Sequence, residues 1–237
     1  MTLQEHINIS DWMRNPSIFE ARLKAMPVID RVRILDEIEN TYPIKPRPYD
    51  PKKLDFNIYT KVFDLVLGQF IMIEQIFTGK AGVQNNLLDY SILRLILRPK
   101  EDLLFDNTDL VKEKENDKKV LAMDVVDAMS ILKDFVDDRN KTLFNDFKGV
   151  FYDPEADKEE DEERDELKES NETFEYKFKE QWYWYNIVRR LAGEDVLKYE
   201  QVYMLKMETV LPELSFLIQK AKLDKAAEFR AKVSNKL

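Results

Sequence analysis

The chain has no cysteine, one histidine and only five glycines in 237 residues. Without thiols there are no disulfides, no cysteine-ligated zinc or iron–sulfur centres and no thiol nucleophile. The lone imidazole, His6, lies in an N-terminal stretch expected to be mobile. That excludes a multi-histidine metal site and disfavours histidine acid–base catalysis. Five glycines leave few places where bare backbone could cradle a phosphate. No apolar run approaches the ~20 residues of a membrane span, and the greasiest stretch, residues 65–73, is interrupted by Gln69. The first residues lack the basic start and apolar core of a secretion signal. The expectation is a soluble, intracellular, non-enzymatic chain with no cofactor and no metal.

What the chain does have is charge, unevenly placed. Its formal net charge is −9, yet residues 153–172 alone hold twelve acidic and three basic residues, leaving 34 of each elsewhere. Such a block reads first as a solvated, self-repelling insertion, and second as an arm that docks on a basic partner or repels nucleic acid. With no concentrated basic face, specific nucleic-acid binding is not expected.

Apolar spacing is mostly helical, so the expected fold is mainly α, with long helices and at most one short strand pair. Asn15-Pro16 starts a helix carrying Ile18, Leu23 and Met26, and Pro27 starts another with Val28, Val32, Leu35 and Ile38. Together they make an N-terminal segment, 1–41. Residues 42–51 contain four prolines in ten positions, so 42–53 reads as an extended connector. A strap lying in another subunit's groove is the alternative. The spacing then predicts a helical region over 54–150. Leu54 to Ile58 alternates like a strand, 59–77 is a buried helix ending near Gly79, and 83–97 is a helix closed by Pro99. Residues 107–116 read as a polar loop. One helix over 118–148 would span roughly 45 Å at ~1.5 Å per residue. After the acidic insertion, 151–173, the C-terminal part, 174–237, reads as helices packing on the same core. The first runs over 174–192 and stops at Gly193; the last runs from about 209 to 233, with Pro212 in its first turn.

Carboxylate groups that could hold a divalent cation are Asp124 with Asp127, Asp134 with Asp137 and Asp138, and Glu194 with Asp195. Most lie on polar helix faces beside Lys or Arg, where solvated faces are the plainer reading. Arg94 and Arg98, spaced as one helical turn, could meet a phosphate, as could Lys45, Arg47, Lys52 and Lys53 along the connector. Salt bridges or interface contacts explain both groups more simply. The densest aromatic feature is Gln181-Trp182-Tyr183-Trp184-Tyr185. On a helix its rings cover several faces, which suits a core first, a subunit interface second and base stacking on nucleic acid a distant third. The interface candidates are Pro46, Pro48 and Tyr49 on the connector, and Trp182, Trp184 and Tyr185 on this helix.

Two stretches carry a resemblance. Residues 182–202, a Trp-bearing helix running into Leu-Ala-Gly-Glu-Asp, then Lys and a Val-containing segment before a final helix, resemble a pattern in neck, tail and assembly proteins of tailed bacteriophages. Leu65-Val-Leu-Gly-Gln-Phe-Ile-Met-Ile-Glu74 resembles the Leu-Gly-Gln-Phe-Ile start of helices in structural proteins of crAss-like phages. Together the two stretches are taken to cover about a third of the chain. The resemblance implies a virion protein, made in the host cytoplasm, that forms a homo-oligomeric ring in the head–tail connector or tail. Its partners would then be copies of itself and neighbouring phage proteins such as a portal or adjacent ring. The alternative is a tail-assembly chaperone that sheaths the tape-measure protein and leaves before maturation.

Overall fold

A computed structural model describes residues 1–13, 16–26, 33–35, 38, 44–84, 87–100, 105, 110–151 and 181–234. Among these the chain is mostly helical, with one short antiparallel strand pair. The helix expected after Pro27 falls largely outside the described residues, as do residues 174–180 and the acidic stretch 153–172. The chain divides into two compact units. One comprises Met1–Lys61 and Met72–Asp138, the other Val62–Ile71 and Arg139–Leu237.

The first unit opens with α1 (Leu3–Met13). Thr2 Oγ1 accepts from the Glu5 amide at 3.2 Å, and Glu5 Oε2 accepts from the Thr2 amide at 3.0 Å. This reciprocal capping box satisfies two helix-start donors, and α1 buries Leu3, Ile7 and Ile9. The expectation of a mobile terminus around His6 is therefore corrected: the helix packs on α2 (Pro16–Ala25) and on α5 (Leu110–Leu121). Pro16 opens α2 as expected, while Asn15 lies outside the described residues. The connector has no regular secondary structure over 44–50, and its last residues depart from the expected extended form: Pro51–Lys53 is a 3₁₀ turn capped by Asp50, whose Oδ1 accepts from Lys52 N at 3.1 Å. Beyond it β1 (Asn57–Ile58) pairs with β2 (Leu97–Arg98), Asn57 opposite Arg98 and Ile58 opposite Leu97.

Several expected boundaries move, each for a tertiary reason. The single helix over 118–148 is broken. The chain runs as α5, a break at 122–124, then α6 (Val125–Lys141), a π turn at Thr142–Asp146 and the short α7 (Lys148–Phe151). The break exists because the N-terminal backbone pairs there: Leu3 N donates to Met123 O at 2.9 Å and Val125 N to Met1 O at 3.0 Å. Asp124 then restarts the helix as a cap, its Oδ1 accepting from Val126 N at 3.0 Å and Asp127 N at 3.3 Å. Residues 110–116, within the expected polar loop, are the first turns of α5. That helix turns Glu113, Asn116 and Val120 inward, so its buried stripe is mostly polar.

The expected helix over 59–77 is shorter. A 3₁₀ turn at Val62–Asp64 precedes α3 (Leu67–Phe77), which ends at Gly79 with φ +72°. The backbone at 65–67 is engaged elsewhere, with Leu67 N donating to Leu205 O and Met207 N to Leu65 O, both at 2.8 Å. The expected helix over 83–97 is α4 (Leu88–Ile96), after which the chain switches to β2 before Pro99. The last helix of the second unit, α10 (Met207–Ser234), begins before the expected 209, which places Pro212 beyond the first turn. At 28 residues it is about 42 Å long, so the long element is this one and not 118–148.

Candidate functional site

In the first unit the candidate phosphate ligands are engaged by carboxylates. Arg98 lies on β2, not one helical turn along from Arg94, and is 2% exposed. Its Nη1 stands 2.7 Å from Glu113 Oε1, an ion pair lying off hydrogen-bond alignment. The guanidinium also lies over the Phe105 ring, 5.2 Å from its centroid. Arg94 Nη2 donates to Glu113 Oε2 at 2.9 Å, and Arg94 Nε is 3.4 Å from Asp117. Burial opposes the Arg94 charge, but these acids outweigh it and raise its pKa. Burial, reinforced by the Asp117 hydrogen bond, holds the Tyr90 phenol far above its ordinary value. Asn116 donates to the carbonyls of Arg94 at 3.3 Å and Leu97 at 3.1 Å, closing the end of α4. A cavity of about 270 Å³ beside Met72 and Leu95 is lined by Arg94 and Glu113, which already bind each other.

The connector lies along its own unit. Arg47 N donates to Ser130 Oγ at 2.9 Å, and its guanidinium reaches Asp127 at 3.2 Å and Asp124 at 3.4 Å. Tyr49 is half-buried and hydrogen-bonds Asp134 and Thr60; burial first, then the Asp134 charge, raises its phenol. Pro46 and Pro48 are exposed. The carboxylate groups are likewise engaged with cations: Asp138 with Lys61 at 3.0 Å, Asp137 with Lys133, Glu194 with Arg189 at 3.4 Å, and Asp195 with Lys198 at 3.3 Å. Among the described residues no cluster of three or more metal-ligating side chains occurs.

The aromatic run lies in the second unit on α8 (residues 181–191), and its rings separate by face. Trp184 points inward, 5.7 Å edge-to-face from Phe70 and 6.3 Å from Phe151, in line with buried Val188 and Ala192. Trp182 and Tyr185 point outward and are 39% and 42% exposed. The core-first reading thus applies to Trp184 and is corrected for the other two. Trp182 meets Tyr185 at 5.3 Å, and Tyr185 meets Tyr199 of α9 (Tyr199–Tyr203) at 5.8 Å. The Tyr199 hydroxyl donates to that of Tyr185 at 3.5 Å, and this bond is the main cause of its raised pKa. Tyr203, Met204 and Leu205 are also exposed apolar side chains of this unit.

Two further features stand out in the second unit. The first is the turn after α8. Gly193 and Glu194 both take positive φ, and their amides close on the Arg190 and Arg189 carbonyls at 3.1 and 2.9 Å. Asp195 then accepts from Leu197 N at 3.1 Å, fixing the 3₁₀ turn Val196–Lys198. The tip carries Val196 at 67% and Leu197 at 86% exposure. The second feature is an apolar cavity of about 320 Å³ between α8 and α10, lined by Tyr183, Ile187, Leu214, Leu217 and Ile218, with Asn186 and Arg190 among its polar residues. Spacing could have shown the cavity wall, since Leu214, Leu217 and Ile218 share one face of a helix. Nothing in the spacing marks Leu197 as exposed.

No family model, curated protein or solved structure matches this chain. No described helix is long and apolar enough to cross a membrane.

Proposed function

We propose that this chain is a non-enzymatic structural protein that assembles with copies of itself into a ring, in the head–tail connector or tail of a tailed bacteriophage. The observation that carries the self-assembly is the second unit's display of large apolar side chains: the Trp182–Tyr185–Tyr199 ladder, Val196 and Leu197. Trp and Tyr are enriched among the few residues that dominate binding energy at protein interfaces, and a contiguous exposed apolar patch marks an interaction surface. The engagement of Arg47, Arg94, Arg98 and the carboxylate groups in ion pairs fits a role in holding the fold. The phage setting rests on the resemblance at residues 65–74 and 182–202.

The reading is tested by negative-stain imaging of the purified full chain together with the protein composition of mature particles. Closed rings, and the protein present in stoichiometric multiples, are expected. Absence from mature particles would favour the chaperone role, and a chain forming no defined oligomer would overturn the ring.

A further inference from the structure

The distal half of α10 is basic and stands in solvent. Residues 219–234 hold five basic residues, Lys220, Lys222, Lys225, Arg230 and Lys232, against two acidic ones, Asp224 and Glu228. Lys220, Lys222, Lys225 and Arg230 are exposed. Among the described residues Lys220, Lys225 and Arg230 form no ion pair, whereas Arg189 and Lys198 of the same unit are each engaged by an acid. The acid excess of the chain lies in residues 153–172, with twelve acidic residues against three basic.

That acidic segment leaves and rejoins the fold beside α10. Val150, near the end of α7, lines the same cavity as Leu214, Leu217 and Ile218 of α10. On the returning side, the Tyr183 hydroxyl of α8 donates to Val150 O at 3.3 Å, so the two anchors meet. Lys220 follows Ile218 by two residues. From Ile218 to Arg230 the helix rises about 18 Å, and half of residues 152–180, drawn out, reaches about 45 Å. The segment is long enough to run out along the basic half and return.

We propose that the acidic segment 153–172 docks on the basic distal half of α10 of its own chain, pairing with Lys220, Lys225 and Arg230. The same chain supplies the occupant because the charges are opposite and both anchors hold the segment beside the helix, at an effective concentration of about millimolar. Exposed pairs contribute little singly, so the docking needs many charges acting together and is screened by salt. Once docked, the segment occupies cations that a polyanion such as nucleic acid would otherwise meet. The inference is independent of the ring and holds equally for a monomer.

Carbodiimide coupling, which joins a carboxylate to a lysine amine in contact with it, tests this on the full-length chain by peptide mapping. Mixing ¹⁵N-labelled with unlabelled protein separates links within a chain from links between chains. Same-isotope links from 153–172 to Lys220 or Lys225 are expected at low salt. They should disappear at about 0.5 M salt, where charges are screened within about 4 Å. Lys225→Glu combined with Arg230→Glu, both at exposed positions, should reduce the remaining link to Lys220 by about threefold or more. The Lys61–Asp138 pair, 3.0 Å apart, is the internal control for coupling. Three results would each overturn the docking: a control link with none to α10, mixed-isotope links alone, or links indifferent to salt and to the double substitution. None of them bears on the ring, which light scattering reads separately.

Discussion

At the scale of single residues, the first unit carries a buried polar group within a mostly apolar core. Glu113 is buried between Arg94 and Arg98, and Arg98 is more deeply buried than Arg94. Removing one member of such a group leaves the others charged and without their counter-ion, which costs far more than the intact group contributes. Glu113→Ala should therefore destabilise by about 3–5 kcal/mol in urea unfolding. Arg94→Ala, at a partly exposed position, should cost about 1 kcal/mol. Glu113 and Asn116 were illegible in the sequence because periodicity reads a buried face from apolar residues. A helix whose inner stripe is polar looks like a loop. The opposite holds at the N-terminus, where Thr2 and Glu5 spell a capping box that could have been read directly. One turn further, burial holds the His6 imidazole below its ordinary pKa, with the Asp89 charge opposing. The unfolded chain therefore takes up this proton first as pH falls. Stability should be full above the unfolded value of ~6.5 and decline as pH drops through it towards the folded value. His6→Gln should flatten that part of a stability–pH curve measured by urea unfolding; an unchanged slope would remove His6 as its source.

Among the elements, α8 shows how one aromatic run divides its tasks. Trp184 packs on Phe70 and Phe151, whereas Trp182 stands largely in solvent. Trp184→Ala should lower stability by about 3 kcal/mol, and Trp182→Ala by less than about 1 kcal/mol, in denaturant melts under monomeric conditions. Equal losses would mean the helix is rotated from the orientation described. Its C-terminal turn holds Glu194 at φ 65°, a strained conformation for a side-chain-bearing residue. Glu194→Gly should thus raise the melting point, by about 1 kcal/mol of stability, despite the loss of the exposed pair with Arg189. Helix identity along the chain was legible because apolar spacing is local. Helix ends were less so, because they are set by distant backbone. Met1–Leu3 breaks the expected 118–148 helix, and the pairing of 65–67 with 205–207 shortens one helix and starts another early.

For the whole molecule, apolar spacing indicated a mainly α chain, and the helices and single strand pair seen among the described residues agree. The candidate interface was only partly legible. Trp182 and Tyr185 stood out by residue type, whereas the Leu197 tip depends on a turn made by two positive-φ residues and one Asp cap. Joining copies of the chain is the role proposed for this surface. Multi-angle light scattering of the full-length protein over a dilution series tests it most directly. A discrete oligomer that dissociates on dilution is the predicted result. A single monomeric mass at every concentration would contradict the claim.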